Sequence, residues 1–283
     1  MLPGSPPRGL LLSGLLPDGL LSGLLSGLLL GVPGVAFAES PRRPAEPAPS
    51  AAVPGESAAT LAGSRRIMQM NLCNGGYSRC YRGGRAVTSA IAAVTRWKPW
   101  AVTLNEICAK DVARIARAGG FGARYTHFPT QRPNGDYVRC KNGQTFGNAV
   151  MTKAAAPHTL YKILEQQDPT GEHRSMGCRW TTSITVCTTH LSSRSRPTAR
   201  EQCDEAMWKG RVFAGSGRML MIGDLNLRYD KGDVQGCVPQ GYARTSDGSV
   251  QHAIVSGSAP ITGHGHRPLS GTDHPVFWVD VRA

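Results

Sequence analysis

Polar residues able to do chemistry stand at the ends of apolar runs along this chain. Residues 219–230 read MLMIGDLNLRYD: four apolar residues stop at Gly223, and Asp224 and Asn226 follow two positions apart. In extended backbone, residues two apart project to the same face. The spacing therefore predicts a carboxylate acceptor beside an amide that both donates and accepts, a pair that can hold a water and a phosphate oxygen together. Gly223 is expected to let the backbone bend as the strand leaves its sheet. Asn71 closes the run IMQMN, Glu106 follows WAVTLN, His190 follows SITVCTT, and Asp273 and His274 precede the run VFWVDV. Singly, each is an ordinary turn or cap residue. Jointly, they form the pattern of a site gathered at strand ends, where side chains leave the core yet stay rigidly held.

The elements that must position these residues follow from periodicity. IMQMNLC (67–73) and WAVTLNE (100–106) read as strands, and between them GRAVTSAIAAVTRW carries Val87, Ala90, Ile91, Val94 and Trp97 at helical spacing, which makes a β-α-β unit. DVARIARAGG is a short helix stopped by glycine, while FGNAVMTK, HTLYKIL, CRWTTSITVCTTHL, RMLMIGD, VQHAIVS and HPVFWVDV are strand-like. SAPITGHGHRPLSG, rich in Gly and Pro, reads as a surface loop. No internal repeat or heptad is present. Many strands with few helices predict two packed sheets with helices outside, an α/β or α+β sandwich. The 283 residues, 40% of them apolar, suffice for one sizeable core.

Residues 1–38 read as a secretory signal peptide: Arg8 precedes a leucine-rich run that closes on Ala36-Phe37-Ala38, a small-x-small cleavage pattern. Pro17 and Asp18 interrupt the run, which leaves an upstream start or an uncleaved anchor as alternatives; Asp18 argues against a membrane span. Residues 39–64, dominated by Pro, Ala and Ser, read as a flexible linker, and the folded domain is expected at 65–283. The protein is thus expected to be extracellular, without stable membrane insertion after cleavage, and monomeric. The eight cysteines, at 73, 80, 108, 140, 178, 187, 203 and 237, form an even set behind a secretion signal and imply disulfides. No Cys-x-x-Cys pair exists to start a zinc site. A two-residue turn at Thr182-Ser183 would set Cys178 opposite Cys187, the spacing of a cross-strand bridge. The formal net charge of +13, scattered rather than blocked into a tail, favours polyanionic partners, with simple solubility as the alternative.

In sequence and in order, MNLCNGG, TLNEIC, FGNAVMTK, CTTHLSS, MIGDLNL, QHAIVSG and GTDHPVFWVDV resemble the motifs of the endonuclease/exonuclease/phosphatase (DNase I-like) superfamily across residues 65–283. The resemblance implies a four-layer α/β/β/α sandwich of two mixed sheets with outer helices. It also implies hydrolysis of a phosphoester with a divalent metal, usually Mg²⁺, with Mn²⁺ or Ca²⁺ as alternatives. Carried over position by position, Glu106 matches the metal-binding glutamate, Asn71 the asparagine beside it, and Asp273 the acidic residue adjoining the metal and the second histidine. Asp224 matches the aspartate that orients or deprotonates the attacking water, and Asn226 the asparagine that holds that water or the phosphate. His190 and His274 match the two histidines on the scissile phosphate. Arg174 sits where a basic, substrate-binding residue often precedes the first histidine.

One position departs from the pattern. Gln251 stands where the family has the aspartate that hydrogen-bonds the second histidine. Its oxygen can accept an imidazole proton but cannot stabilise imidazolium by charge. Either Asp247 or His252 compensates, or Gln251 marks a subfamily with shifted chemistry, or the chain is a catalytically degenerate binding member. His264 and His266 echo the Gly-His-x-His ending of calcineurin-like phosphoesterases, whose other metal motifs are missing from the sequence. The basic charge favours a nuclease acting on DNA or RNA. Sphingomyelinase-like, phospholipase C-like and inositol-type phosphatase activities are the alternatives, although the one adjacent aromatic pair, Phe277-Trp278, falls in a strand whose alternation would bury one side.

Overall fold

Apolar runs without alternation belong to strands covered on both faces, and they set the centre of each sheet. In the computed structural model, which describes residues 63–283, β1 (Ser64–Asn71) and β2 (Ala101–Cys108) run parallel with α1 (Arg85–Trp97) between them, the predicted β-α-β unit. The segment read as a signal peptide and nearly all of the segment read as a linker lie outside the described residues. Around this unit a six-stranded sheet forms in the order β11 (Ile261–Arg267), β12 (Val276–Arg282), β1, β2, β4 (Phe146–Thr152), β3 (Tyr125–Pro129). A second six-stranded sheet has the order β5 (His158–Ile163), β6 (Ser175–Trp180), β7 (Thr185–Thr189), β8 (Met219–Asp224), β10 (Gln251–Ser256), β9 (Tyr242–Ser246). Each sheet is mixed, since β1–β2 and β7–β8 are parallel and their neighbours antiparallel.

The inner faces bury Ile67, Val150, Phe277 and Val279 against Val186, Leu220, Ile222 and Val255. Each such side chain contributes roughly 1.5–3 kcal/mol by leaving water. On the outer face of the first sheet, α1 and α2 (Ala109–Ala118) set Val87, Val94, Val112 and Ile115 against Met68, Leu104, Met151 and Trp278. On the second sheet, α3 (Arg196–Ala214) packs Ala199, Cys203, Ala206 and Met207 over Met219 and Met221. The layers are therefore α/β/β/α, as the resemblance implied. Among the described residues, no helix is long and apolar enough to cross a membrane.

Three local expectations change. Residues 261–267 form strand β11 rather than a loop, because β12 supplies a pairing edge that offsets the weak strand preference of its glycines. Phe277 and Trp278 are both buried, one between the sheets and the other under α1, because β12 is covered on both faces. The longest helix, α3, has no counterpart among the elements expected from periodicity; Ser195 caps it by accepting from the Thr198 amide, with proline in its first turn.

The eight cysteines pair as 73–80, 108–140, 178–187 and 203–237. Cys178 lies directly opposite Cys187, with Trp180 and Thr185 as the last pair before the turn, the register the sequence predicted. The 108–140 bridge ties the end of β2, just before α2, to a loop, and the 203–237 bridge ties α3 to the 3-10 turn Asp233–Cys237. Closing loops of 32 and 34 residues removes chain entropy from the unfolded state. Denatured, unreduced protein is therefore expected to show no titratable thiol, and reductant should lower the melting temperature, each bridge contributing roughly 2–4 kcal/mol. Eight reactive thiols in the unreduced protein would contradict the pairing.

Candidate active site

The site rests on a layer of polar side chains buried between the two sheets. Asn105, fully buried on β2, donates to Asn148 Oδ1 on β4 at 2.9 Å and accepts from the Gln69 amide at 2.6 Å and from the Asp224 backbone amide at 2.8 Å. Asn148 continues the chain to the Ser175 carbonyl, and Thr189 donates to the same oxygen. Buried amides left unpaired would each cost about 1–3 kcal/mol. Here the pairing joins β1, β2, β4, β6 and β8 at one level and fixes where each strand ends.

Directly above, β2 bulges. Its pairing with β4 jumps from Leu104–Ala149 to Ile107–Gly147, so Asn105 and Glu106 together oppose Asn148. Glu106 takes the left-handed backbone conformation, φ 53°, which is uncommon for a residue with a side chain. A bulge re-aims a side chain out of the strand's alternation. Asn105 therefore points inward to the network while its neighbour Glu106 points to the site. At the end of β8, Gly223 is required for close approach rather than bending: a Cβ there would lie 2.2 Å from the Thr189 carbonyl oxygen on β7. The strand ends at Asp224, and Asn226 turns left-handed, φ 50°. The pair thus does not share a face by extended geometry. Instead the Asp224 carboxylate accepts the Asn226 backbone amide at 3.1 Å, and the Asn226 side-chain nitrogen donates to the Leu191 carbonyl at 2.9 Å.

Six of the residues singled out in the sequence converge. The Asn71 amide donates to Glu106 Oε1 and to Asp224 Oδ2, both at 3.0 Å. His190 Nε2 lies 3.8 Å from Glu106 Oε1 and 3.9 Å from Asp224 Oδ2, and His274 Nδ1 lies 3.6 Å from that same Asp224 oxygen. Asn226 borders Asp224 from the other side. Asp273 is 65% exposed and stands 3.5 Å from His274 Nε2, outside the buried group. Arg174 is buried and faces Asp168 at 3.4 Å and Glu172 at 3.7 Å, with its charge felt at Glu106 and His190. Gln251 is buried, but its amide donates to Asp247 Oδ2 at 3.1 Å and the Pro275 carbonyl at 2.9 Å; its Oε1 has no partner. Of the compensations open to this departure, Asp247 is the residue Gln251 touches. His252 donates its ring to the Leu227 carbonyl, away from this contact.

Burial dominates the electrostatics. It raises the Glu106 carboxyl, opposed by the Asn71 hydrogen bond and reinforced by Asp224. It likewise raises Asp224, with His274 and Asn71 acting in the opposite sense. Burial and the neighbouring Arg174 and His274 charges hold His190 well below the ordinary histidine value, so its imidazole is neutral at pH 7. A neutral imidazole offers one N–H donor without adding charge.

Residues absent from the sequence-based set support the converging six. Asn105 and Asn148 supply the floor, and each interrupts an otherwise apolar strand, which was the available signal. Burial would raise Asp168, but hydrogen bonds from Ser192 and Thr170 and the Arg174 charge outweigh it and hold the carboxyl at about 2. It therefore stays an anion that anchors Arg174. The Thr272 hydroxyl donates to the Asn71 carbonyl at 3.0 Å and accepts from the His274 amide at 3.3 Å, which links β1 to the second histidine.

A carboxyl raised on folding binds its proton more tightly in the folded state, so its contribution to stability falls as pH rises through and above its ordinary value of 4.5. In metal-free buffer at pH 7, Glu106→Gln keeps an oxygen for the Asn71 amide and removes the buried charge. The variant is expected to melt higher than the parent at pH 7, with the difference shrinking towards pH 4. A lower melting temperature at pH 7 would show that Glu106 is not held at an electrostatic cost.

No family model matches the sequence, and no curated protein matches it. Similarity to solved structures is extensive. An endonuclease/exonuclease/phosphatase from Beutenbergia cavernae superposes with a TM-score of 0.60 at 16% identity over 77% of this chain and 71% of that one. Danio rerio TDP2 complexed with a single-strand DNA product gives 0.57 at 10% identity over 78% and 99%. The Bacteroides thetaiotaomicron mannosyl-6-phosphatase Bt3783 gives 0.57 at 12% identity over 77% and 99%. With two mixed six-stranded sheets between outer helices, and with these superpositions, the chain has the endonuclease/exonuclease/phosphatase fold.

Proposed function

We propose that the protein is a secreted, divalent-metal-dependent phosphodiesterase that hydrolyses DNA or RNA. The observation that carries this reading is the pair of carboxylates, partly buried Glu106 and fully buried Asp224, bridged by one Asn71 amide and faced by His190 and His274. Two acidic groups sharing a buried site without a matching cation of their own fit a hard divalent ion, and their oxygen donors suit Mg²⁺. Glu106 would hold the ion. Asn71 would offer only the second lone pair of an oxygen that already accepts the Cys73 amide at 3.1 Å, so its main work is to orient the two carboxylates. Asp273, exposed, would reach the ion only from the rim. The one other convergence of ligand types among the described residues, Cys73, Cys80 and Asp273, is not a metal site, because both sulfurs belong to a disulfide. When bound, the ion would neutralise charge that develops on the phosphoryl oxygens.

The chain's own groups divide the remaining work. Asp224, raised by burial, is a stronger base than an ordinary carboxylate and takes a proton from the attacking water, whose oxygen forms the new bond to phosphorus. Asn226 presents its side-chain oxygen beside Asp224 to hold that water. Neutral His190 donates its N–H to a phosphoryl oxygen or to the departing ester oxygen, which carries away the electron pair of the broken P–O bond. His274, between Asp224 and Asp273, contacts the phosphate from the other side. Arg174, anchored by Asp168, adds fixed positive charge nearby. The net charge of +13 supports a polyanionic substrate, and four disulfides support an oxidising compartment.

Asp224→Asn is nearly isosteric and removes the proton acceptor. Turnover of plasmid DNA or RNA is expected to fall by about 10²–10⁴-fold, with nucleic-acid affinity retained because the phosphate contacts remain. EDTA is expected to abolish hydrolysis, and Mg²⁺ or Mn²⁺ to restore it. Wild-type turnover in Asp224→Asn, measured side by side with the parent, would remove Asp224 as the base; full activity in EDTA would remove the metal.

A further inference from the structure

Beside Glu106 and His190 the surface opens into a cleft of about 280 Å³, near the lower end of the roughly 300–1,000 Å³ typical of ligand pockets. Its outer wall carries Tyr77, Arg139, Ser193 and Arg194, and Arg174 lies at its base. None of the outer four belongs to the catalytic group. Two features make this wall unusual. First, of the three guanidinium groups only the one at the base, Arg174, is paired, with Asp168 and with Glu172, which also lines the cleft, and the two on the outer wall are not. Arg139 donates only to the Gly143 carbonyl, at 3.3 Å, and Arg194 has no carboxylate within bridging distance among the described residues. Arg174 keeps a buried Nε without a partner.

Second, Tyr77 is 74% exposed, the most exposed large apolar side chain described. It is nonetheless held in place: its loop is closed by the Cys73–Cys80 disulfide and fastened to a neighbouring loop by the Lys141 amide, which donates to the Gly75 carbonyl at 2.8 Å. An exposed ring on a fixed loop loses little freedom when something stacks on it. Guanidinium forks match phosphate oxygens in pairs, and an aromatic face accepts a base of any sequence.

We infer that this cleft seats the single, unpaired nucleotide next to the cleaved phosphate, with its base on Tyr77 and its phosphate between Arg139 and Arg194. The inference rests on the nuclease reading above and narrows its substrate to single-stranded nucleic acid. A cleft of this volume admits one nucleotide-sized group, whereas a paired base would bring its partner strand with it. A lipid or sugar phosphomonoester has neither the second phosphate nor the base, and would leave this wall unused.

The test compares the wild type, Tyr77→Ala, Tyr77→Phe and Arg194→Ala on three substrates: short single-stranded DNA or RNA oligonucleotides, the corresponding duplexes, and bis(p-nitrophenyl) phosphate. Tyr77→Ala is expected to lower kcat/KM for the single strand about tenfold and to leave the small diester unchanged, while Tyr77→Phe retains the ring and the rate. Arg194→Ala is expected to weaken single-strand binding and reduce its log–log salt slope by about 0.7. Wild-type enzyme should cleave the single strand faster than the duplex. Equal losses on oligonucleotide and small diester, no loss on either, or equal rates on duplex and single strand would each overturn the inference while leaving the nuclease reading intact. Hydrolysis of the small diester by wild-type enzyme that cleaves no nucleic acid would remove the nuclease reading, and this inference with it.

Discussion

Everything at the candidate site depends on the hydrogen bonds that Asn105 makes between the sheets. Two β-sheets packed through aliphatic side chains alone can slide against each other at modest cost, because apolar contacts carry little direction. A buried amide cannot slide without leaving donors and acceptors unpaired. Asn105 engages β1 through Gln69, β4 through Asn148 and β8 through the Asp224 backbone. Glu106 and Asp224, which come from different sheets, are thereby held at one separation. The short Asn71 bridge between them is the product of that registration.

The same position explains why Glu106 has strained backbone. A regular strand would send Asn105 and Glu106 to opposite faces, one between the sheets and the other beneath the helices. The bulge at Leu104–Ile107 frees Glu106 from that second direction and turns it to the sheet end. Left-handed backbone in a residue other than glycine costs of order 1–3 kcal/mol, and the surrounding network supplies the constraint that keeps it there. Stability and reactivity are thus opposed at this residue, in its backbone and in its buried charge alike.

Most strands and the β-α-β unit were legible because continuous apolar runs and a 3.6-residue period leave little choice of element, whereas β3 and β9, short and polar-rich, and the order of strands within each sheet were not. The strand-end residues were legible because each follows directly on such a run. Two further kinds of feature were not. α3 buries mostly small residues, Ala199, Cys203, Ala206 and Gly210, whose side chains give a weak periodic signal even though they pack closely. Tertiary pairing was equally silent: β11 is a strand only because β12 lies beside it, and the Gln251–Asp247 contact joins residues whose partners cannot be read from spacing. The conformation at Asn226 illustrates the boundary. Proximity to Asp224 was legible, but the left-handed turn that achieves it arises from the Leu191 carbonyl on a neighbouring segment.

The pairing of β1 with β12 bears on how the chain acquires its fold. β1 is flanked by β2 on one side and by β12 on the other, with Ser64 opposite Arg282 and Gln69 opposite Phe277. The first and last strands of the domain are therefore neighbours in the middle of one sheet, and the contact has the greatest sequence separation available to it. Such long-range pairing forms late and slowly. A nascent chain emerging from its amino terminus carries β1 with one edge open until residues 276–282 follow. Until β12 is in place the first sheet cannot close, nor can Trp278 pack against Trp97 of α1. Closure of this sheet waits on residues 276–282, and loss of that strand would open the interior of the sheet between β11 and β1 rather than trim its margin.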